Sequence, residues 1–234
     1  MAALAAMTVN VAERPFVEPL AHVVERRRWG LVKRASLPRW LETIAALLLL
    51  DYTLYIWHVL VHRVPVLWRF HAVHHVDLDL DASTALRFHA GELAISVPWR
   101  ALQIGIIGVS PDTLRLWQHL VLIEILFHHS NLRLPRRVEQ ALARLVVTPG
   151  LHGIHHANRE EIRNVNWSSG LTLWDWLHGT LRTDVPQDQI RIGVEGYDDP
   201  RQVTLPRVLA MPFQEPGAFA SCSSRSLNCS WYSR

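Results

Sequence analysis

Lysine is almost missing from this 234-residue chain: Lys33 is the single one among 24 basic residues, and the rest are arginine. Such a skew is what a GC-rich, bacterial coding sequence produces. The net charge is only +3 with histidine neutral, too small an excess to suit a nucleic acid partner. Cysteine is nearly as scarce. Cys222 and Cys229 sit in a polar, serine-rich tail without ligand spacing, which excludes a disulfide framework and a thiolate metal site. The first 24 residues lack the basic start and long apolar core of a secretory signal, so none is expected there. Gly-rich phosphate loops, dinucleotide fingerprints and a Ser-His-Asp order are also missing. Nucleotide chemistry and serine hydrolysis therefore have no support.

What the chain has instead is apolar surface, tryptophan and histidine. Hydrophobic residues make up 49% and the mean hydropathy is +0.07. These values fit a membrane protein with a sizeable polar part. Ten tryptophans add to that reading, because the indole favours membrane interfaces. The histidines are patterned. His58 and His62 are four apart, and His71, His74 and His75 form an H-x-x-H-H triplet. His152, His155 and His156 repeat that triplet about eighty residues later. Positions i, i+3 and i+4 share one helix face, so each cluster presents its rings to one side. A lone histidine on an apolar helix is ordinarily a packed, hydrogen-bonded residue, and one H-x-x-x-H arises easily by chance. Two triplets and a pair in one chain do not. Neutral imidazole suits iron, zinc, copper and nickel. Eight rings exceed the about four to six ligands that one ion takes, so two metals are the natural count.

Along the chain, residues 1–40 are expected to form an N-terminal interfacial segment, basic at Arg26, Arg27, Arg28, Lys33 and Arg34. The run Leu41 to Val64 is long enough to span a bilayer. Asp51 lies two helical turns before His58 on the same face and should point into the protein, since a carboxylate is costly in lipid. Pro65 should end or kink this helix. Leu93 to Val109 and Thr113 to Phe127, joined at Ser110-Pro-Asp112, read as a helical hairpin with an N-cap at the turn. Arg133, Arg136, Arg137 and Arg144 beside Val138, Ala141, Leu142 and Leu145 read as an interfacial amphipathic helix. Residues 41–205 are expected to form the membrane-embedded domain and 206–234 a disordered tail. The expected fold is all-α: an integral-membrane helical bundle with a histidine-rich helical cap holding a di-metal site.

Several further signatures accompany the histidine clusters. They are Asp51 with Tyr55, Leu67-Trp-Arg-Phe-His71, Thr84-Ala-Leu-Arg-Phe-His89, His129-Ser-Asn131, and Trp174-Asp175 with Gly179-Thr180. Together with the clusters, from about Asp51 to Thr180, they resemble the fatty acid hydroxylase/sterol desaturase superfamily. Ala90 and His178 depart from that pattern, where the family often has proline and phenylalanine. The resemblance implies an integral-membrane, non-haem di-iron oxygenase. It would use O2 to hydroxylate or desaturate C–H bonds of a lipid, whether sterol, fatty acyl or related. It implies two iron ions, for which zinc substitutes in vitro. Without an H-P-G-G haem motif, electrons would come from a separate ferredoxin or cytochrome donor.

The ligand set is then His58, His62, His71, His74, His75, His152, His155 and His156, with His129 added by the resemblance. His89, Asn131, Asp51 and Asp175 are candidates for a ligand or for an outer hydrogen bond. Asp81, Glu92 and Glu124 join Asp51 and Asp175 as acceptors for free ring N–H groups. His128 and His178 are expected outside the ligand set, and His22 and His119 as structural residues. No catalytic group beyond the metal site is named. The expected location is a bacterial inner membrane, multi-pass, with the metal site toward the cytoplasm. Arg26 to Arg34 also favours that side, which a full crossing by Leu41 to Val64 would forbid. A zinc-dependent membrane hydrolase remains an alternative, although Val59, Leu60 and Val61 after His58 leave no H-E-x-x-H base. A metal or electron carrier is another.

His74→Ala and His155→Ala are expected to abolish activity and lower bound metal, while His22→Ala should do neither. Metal analysis of the three purified variants checks this.

Overall fold

Proline brackets the longest helix of the molecule. The computed structural model describes residues 14–214, together with Met1, Met7 and Val11. Its first helices are α1 (Arg14–Arg27), the short α2 (Leu31–Arg34) and α3 (Arg39–Arg63). Pro38 caps α3 and a run of leucine and alanine propagates it. Its end follows from Pro65, which drives the preceding Val64 out of the helical region to φ −92, ψ 114. The same proline then opens α4 (Pro65–His75) at its first turn. A single extended residue therefore separates the helix of His58 and His62 from the helix of the first triplet. That sharp break folds one histidine face back toward the other.

Helices α5 (Ala90–Ile107) and α6 (Pro111–His128) follow. Gly108 ends α5 in the left-handed region at φ 92. Ser110 caps α6 as expected, its Oγ accepting from Thr113 N at 3.2 Å. Both arms share one core with α1 and α3. Val17, Ala21 and Val24 of α1 meet Ala46 and Leu50 of α3, Ile104 and Ile107 of α5, and Leu114 and Trp117 of α6. The basic N-terminal segment is thus partly a core helix. Its stripe at 17, 21 and 24 has helical spacing, but the charges around it hide the pattern.

Lys33, the single lysine, is only 5% exposed. Its Nζ meets Glu25 at 2.6 Å and Glu42 at 2.9 Å, and Arg28 reaches Glu42 at 3.0 Å. This cluster, buried at Lys33 and Glu42, ties α1, α2 and α3 together at the end of α3 remote from the histidines. Gly30 and Gly108 touch nearby: a Cβ on Gly30 would lie 2.3 Å from Gly108 Cα.

The remaining helices are short: α7 (Arg136–Leu142), α8 (Pro149–His155), α9 (Glu160–Arg163), α10 (Leu173–Leu177) and α11 (Leu205–Ala210). Helix α7 buries none of its residues, which suits the expected interfacial helix. The described residues form no strand, only isolated bridges at Val146–Leu171 and Ala157–Ile192. Residues 206–213, at the start of the expected tail, are instead helical and packed. Val208 is 2% exposed and packs with Val73 and Val76, and Arg69 Nη2 donates to Gln214 O at 2.7 Å. Apolar residues at this spacing find a groove beside α4, which composition alone does not reveal. Residues 215–234 lie outside the described residues.

The described residues are all-helical, as expected. Among the described residues one helix, α3, is long and apolar enough to cross a membrane. The expected multi-span bundle therefore rests on α3 with two 18-residue arms, broken by Pro98 and Arg100 in α5 and by Arg115 and Glu124 in α6. Each of these elements exposes apolar side chains: Trp40, Ile44 and Leu48 on α3, Leu102 and Ile106 on α5, Leu116, Leu120 and Ile123 on α6.

Gly30→Ala is expected to destabilise the fold by about 2–4 kcal/mol, through a positive φ and a backbone clash. Gly105→Ala, in α5 with open space around it, should be neutral or stabilising by about 0.5–1 kcal/mol. Denaturant melts in detergent compare the two.

Candidate metal centre

Four elements deliver the histidines. Helix α3 contributes His58 and His62, and the last turn of α4 contributes His71, His74 and His75. His129 is the C-cap residue of α6. Helix α8 starts at Pro149, with Thr148 Oγ1 capping Leu151 N at 3.4 Å, and carries His152 and His155 with His156 as its C-cap. The nine rings form two groups. His58, His62, His71, His75 and His155 bring one ring nitrogen each within 4.8 Å of one another. His74, His129, His152 and His156 do the same. The groups adjoin where His75 and His156 stack, ring centres 4.2 Å apart. Each triplet is divided between the groups. His71 and His75 go one way and His74 the other, while His155 parts from His152 and His156.

Outer hydrogen bonds decide which nitrogen faces inward. His58 Nδ1 donates to Trp167 O at 2.7 Å, His155 Nδ1 to Val165 O at 2.9 Å, and His129 Nδ1 to Ile125 O at 2.7 Å. His71 Nδ1 bonds Glu92 Oε1 at 2.9 Å. A carbonyl or carboxylate oxygen only accepts, so Nδ1 carries the hydrogen and Nε2 shows a lone pair. In the second group, His129 Nε2 lies 3.1 Å from His74 Nε2 and 3.0 Å from His152 Nε2. His156 Nε2 is 3.0 Å from His152 Nε2. In the first group His71 Nε2, His155 Nε2 and both nitrogens of His62 and His75 are buried without a hydrogen-bond partner.

Burial pushes His74, His75, His152, His155 and His156 well below the ordinary imidazole value, and neighbouring rings add to it. His129 falls to about 4, again chiefly by burial. These six rings are therefore neutral bases at physiological pH. Convergent neutral lone pairs repel one another unless a cation sits among them. This donor set fits two first-row divalent metals.

The other candidates lie elsewhere. His89 caps α5, its Nδ1 accepting from Gly91 N at 2.9 Å while Nε2 donates to Leu209 O at 3.2 Å. Both nitrogens are engaged, so His89 has no lone pair to offer a metal. Asn131 is exposed just beyond α6, where the chain has left the cluster. Asp51 accepts from Trp174 Nε1 at 2.7 Å and Leu171 N at 3.1 Å, so it latches α10 to α3 and does not face a ring. Asp175 accepts from Trp167 N and Ser168 N, each at 2.9 Å, and from Thr180 Oγ1 at 2.6 Å. It acts one step further out, by holding the loop whose carbonyls anchor His58 and His155. Of the five acids expected to meet a ring, only Glu92 does. Asp81 caps an exposed turn at Ser83 N, and Glu124 lies with Asp51 around Gly170.

His128 is buried against His152, ring centres 4.0 Å apart, yet belongs to neither group. His178 stacks outside on Tyr52 and Tyr55, while His22 and His119 are exposed. The carbonyl anchors were invisible in the sequence, since any residue carries one. A trace was present in Asn166, which takes a positive φ of 53. Its amide pins the same loop to Leu151 O and Arg182 O.

Comparison with known proteins covers this region. A family model described as fatty acid hydroxylase matches residues 43–180. Ornithine lipid hydroxylase OlsE of Rhizobium tropici is 29% identical over 160 residues, 68% of this chain and 47% of its own. Human cholesterol 25-hydroxylase is 32% identical over 141 residues, 58% of this chain and 50% of its own. Human alkylglycerol monooxygenase is 25% identical over 147 residues, 60% of this chain and 30% of its own. The alignments thus span half or less of these relatives' lengths. No solved structure matches.

Glu92→Ala is expected to weaken metal binding about 10–100-fold by freeing His71. Glu92→Gln, which keeps an acceptor oxygen, should lose much less. Competition with a chelator measures both.

Proposed function

Because the chain belongs to the fatty acid hydroxylase family, we propose that it is a membrane-bound, non-haem di-iron oxidoreductase that uses O2 to hydroxylate a lipid. The observation that carries this reading is the pair of adjoining groups built from nine imidazoles, eight of them buried. His58, His62, His71, His75 and His155 would hold one ion, and His74, His129, His152 and His156 the other. Bound irons would supply the oxidising chemistry that no protein side chain possesses.

The chain's own share is orientation and enclosure. Trp167 O, Val165 O, Ile125 O and Glu92 hold their imidazoles by Nδ1, so that Nε2 cannot turn away. Phe88 lies flat on His74 at 4.7 Å and keeps water from that ring. Glu92 is committed to His71, which leaves the site without a free carboxylate base of the kind a zinc hydrolase needs.

The names of the relatives refer to ornithine lipid, cholesterol and alkylglycerol, so we assign a lipid substrate. They are hydroxylases and a monooxygenase, which favours hydroxylation over desaturation. The exposed apolar faces of α3, α5 and α6 support embedding in a membrane. The second half of α3 is covered by the latch at Asp51 and Trp174, so the apolar band lies mainly toward its first half. We place the metal site on the cytoplasmic face of a bacterial inner membrane, where a separate ferredoxin or cytochrome donor supplies electrons.

Chain purified without oxygen in detergent is expected to carry about two irons and no haem absorption. Lipid profiling of a host with and without the gene, under 18O2, should show one lipid gaining a labelled hydroxyl. Zinc-loaded protein that still turns over, or a product without label, would refute the assignment.

A further inference from the structure

The two histidine groups differ in their surroundings: the Glu92 carboxylate meets His71 of the first group, and a buried cation on an aromatic ring lies beside the same group. Arg163, at the end of α9, is 8% exposed. Its guanidinium lies over the Trp68 ring, 4.7 Å from the ring centre. Nη1 donates to Asn158 O at 3.3 Å, and Nε is buried with no partner. Glu160, Glu161 and Glu195 act on it only from beyond ion-pair distance. Among the described residues, no carboxylate lies at ion-pair distance from this buried cation.

Trp68 carries that charge toward the metal centre. Its ring centre is 5.0 Å from His62, 5.5 Å from His75 and 6.3 Å from His71. All three belong to the first group. The aromatic ring stacked on the second group is Phe88, over His74, and the described residues place no guanidinium over it.

We propose that Arg163, stacked on Trp68, is a positioning residue that raises the reduction potential of the metal held by the first histidine group, opposing the pull of the Glu92 carboxylate on His71. The inference rests on the di-iron reading above. A fixed positive charge in a poorly solvated place favours the less positive state of a nearby ion. Arginine keeps its proton under all working conditions, and burial limits screening by salt. A ferric ion bound there would take one electron from the external one-electron donor, which would be oxidised by one electron, and would do so more readily with Arg163 in place than without it.

The test is a spectroelectrochemical titration of the iron-loaded full chain in detergent, with wild type, R163Q, R163K and R159Q compared after metal analysis. Wild type should show two separate one-electron steps. R163Q should keep both irons and move one of the two steps down, while the other stays in place. R163K retains the charge and should resemble wild type. R159Q removes a charge that is 71% exposed on the same segment, and water should screen its effect away. Unmoved steps in R163Q, an equal shift of both, or loss of iron from R163Q would overturn the inference. A wild-type chain that binds no iron would sink the di-iron reading as well. A redox-active wild type with an indifferent R163Q would sink this inference alone.

Discussion

Nine imidazoles can converge only if each is neutral and each shows the centre a lone pair. That requirement organises the fold. Burial supplies the neutrality, because a charged ring in this interior would be poorly solvated. Direction comes from the hydrogen bond behind each anchored ring, and most of these acceptors are backbone carbonyls. Carbonyls hold a ring only if their own loop is held. Asp175 does that for the loop of Val165 and Trp167, and Asn166 does it again from within. The chain from Asp175 to His58 is thus a mechanical one, in which a buried carboxylate fixes a loop and the loop fixes a ring.

The second support is the break at Val64. One extended residue between α3 and α4 turns two amphipathic helices into the facing walls of a single site. At the far end of α3, Lys33 and its two glutamates lock the helix to α1 and α2. Midway, Asp51 ties it to α10 through Trp174. Helix α3 is therefore held at three levels: an ion cluster, a carboxylate–indole bond and the histidine centre. A buried ion cluster gives little net stability, but losing one partner leaves an uncompensated charge. Its effect is to permit one arrangement of these helices rather than several.

The apolar exterior has its own logic. Side chains of α3, α5 and α6 that would be buried in a soluble bundle are exposed here, concentrated around the first half of α3. The second half lies under α10 and the loop of Asp175. This division explains why the basic N-terminal segment and the histidine boxes pull a simple topology in opposite directions. One continuous apolar run is exposed along its first half and covered along its second, and its length alone does not say where one ends.

The sequence by itself determined the all-helical class, the nine histidines and the family, because helical spacing and metal-binding side chains leave a direct mark on residue identity. It also located the helix break at Pro65 and the cap at Ser110, since proline and serine act locally. Only the tertiary structure decided which histidine joins which group, because i+3 and i+4 neighbours share a face yet diverge by a few ångströms toward different partners. It moved His89 to a helix cap, Asn131 to the surface and Asp51 to a latch, since each role depends on what the rest of the chain brings alongside. It also placed Arg163 over Trp68, a contact between residues 95 positions apart that no local pattern encodes.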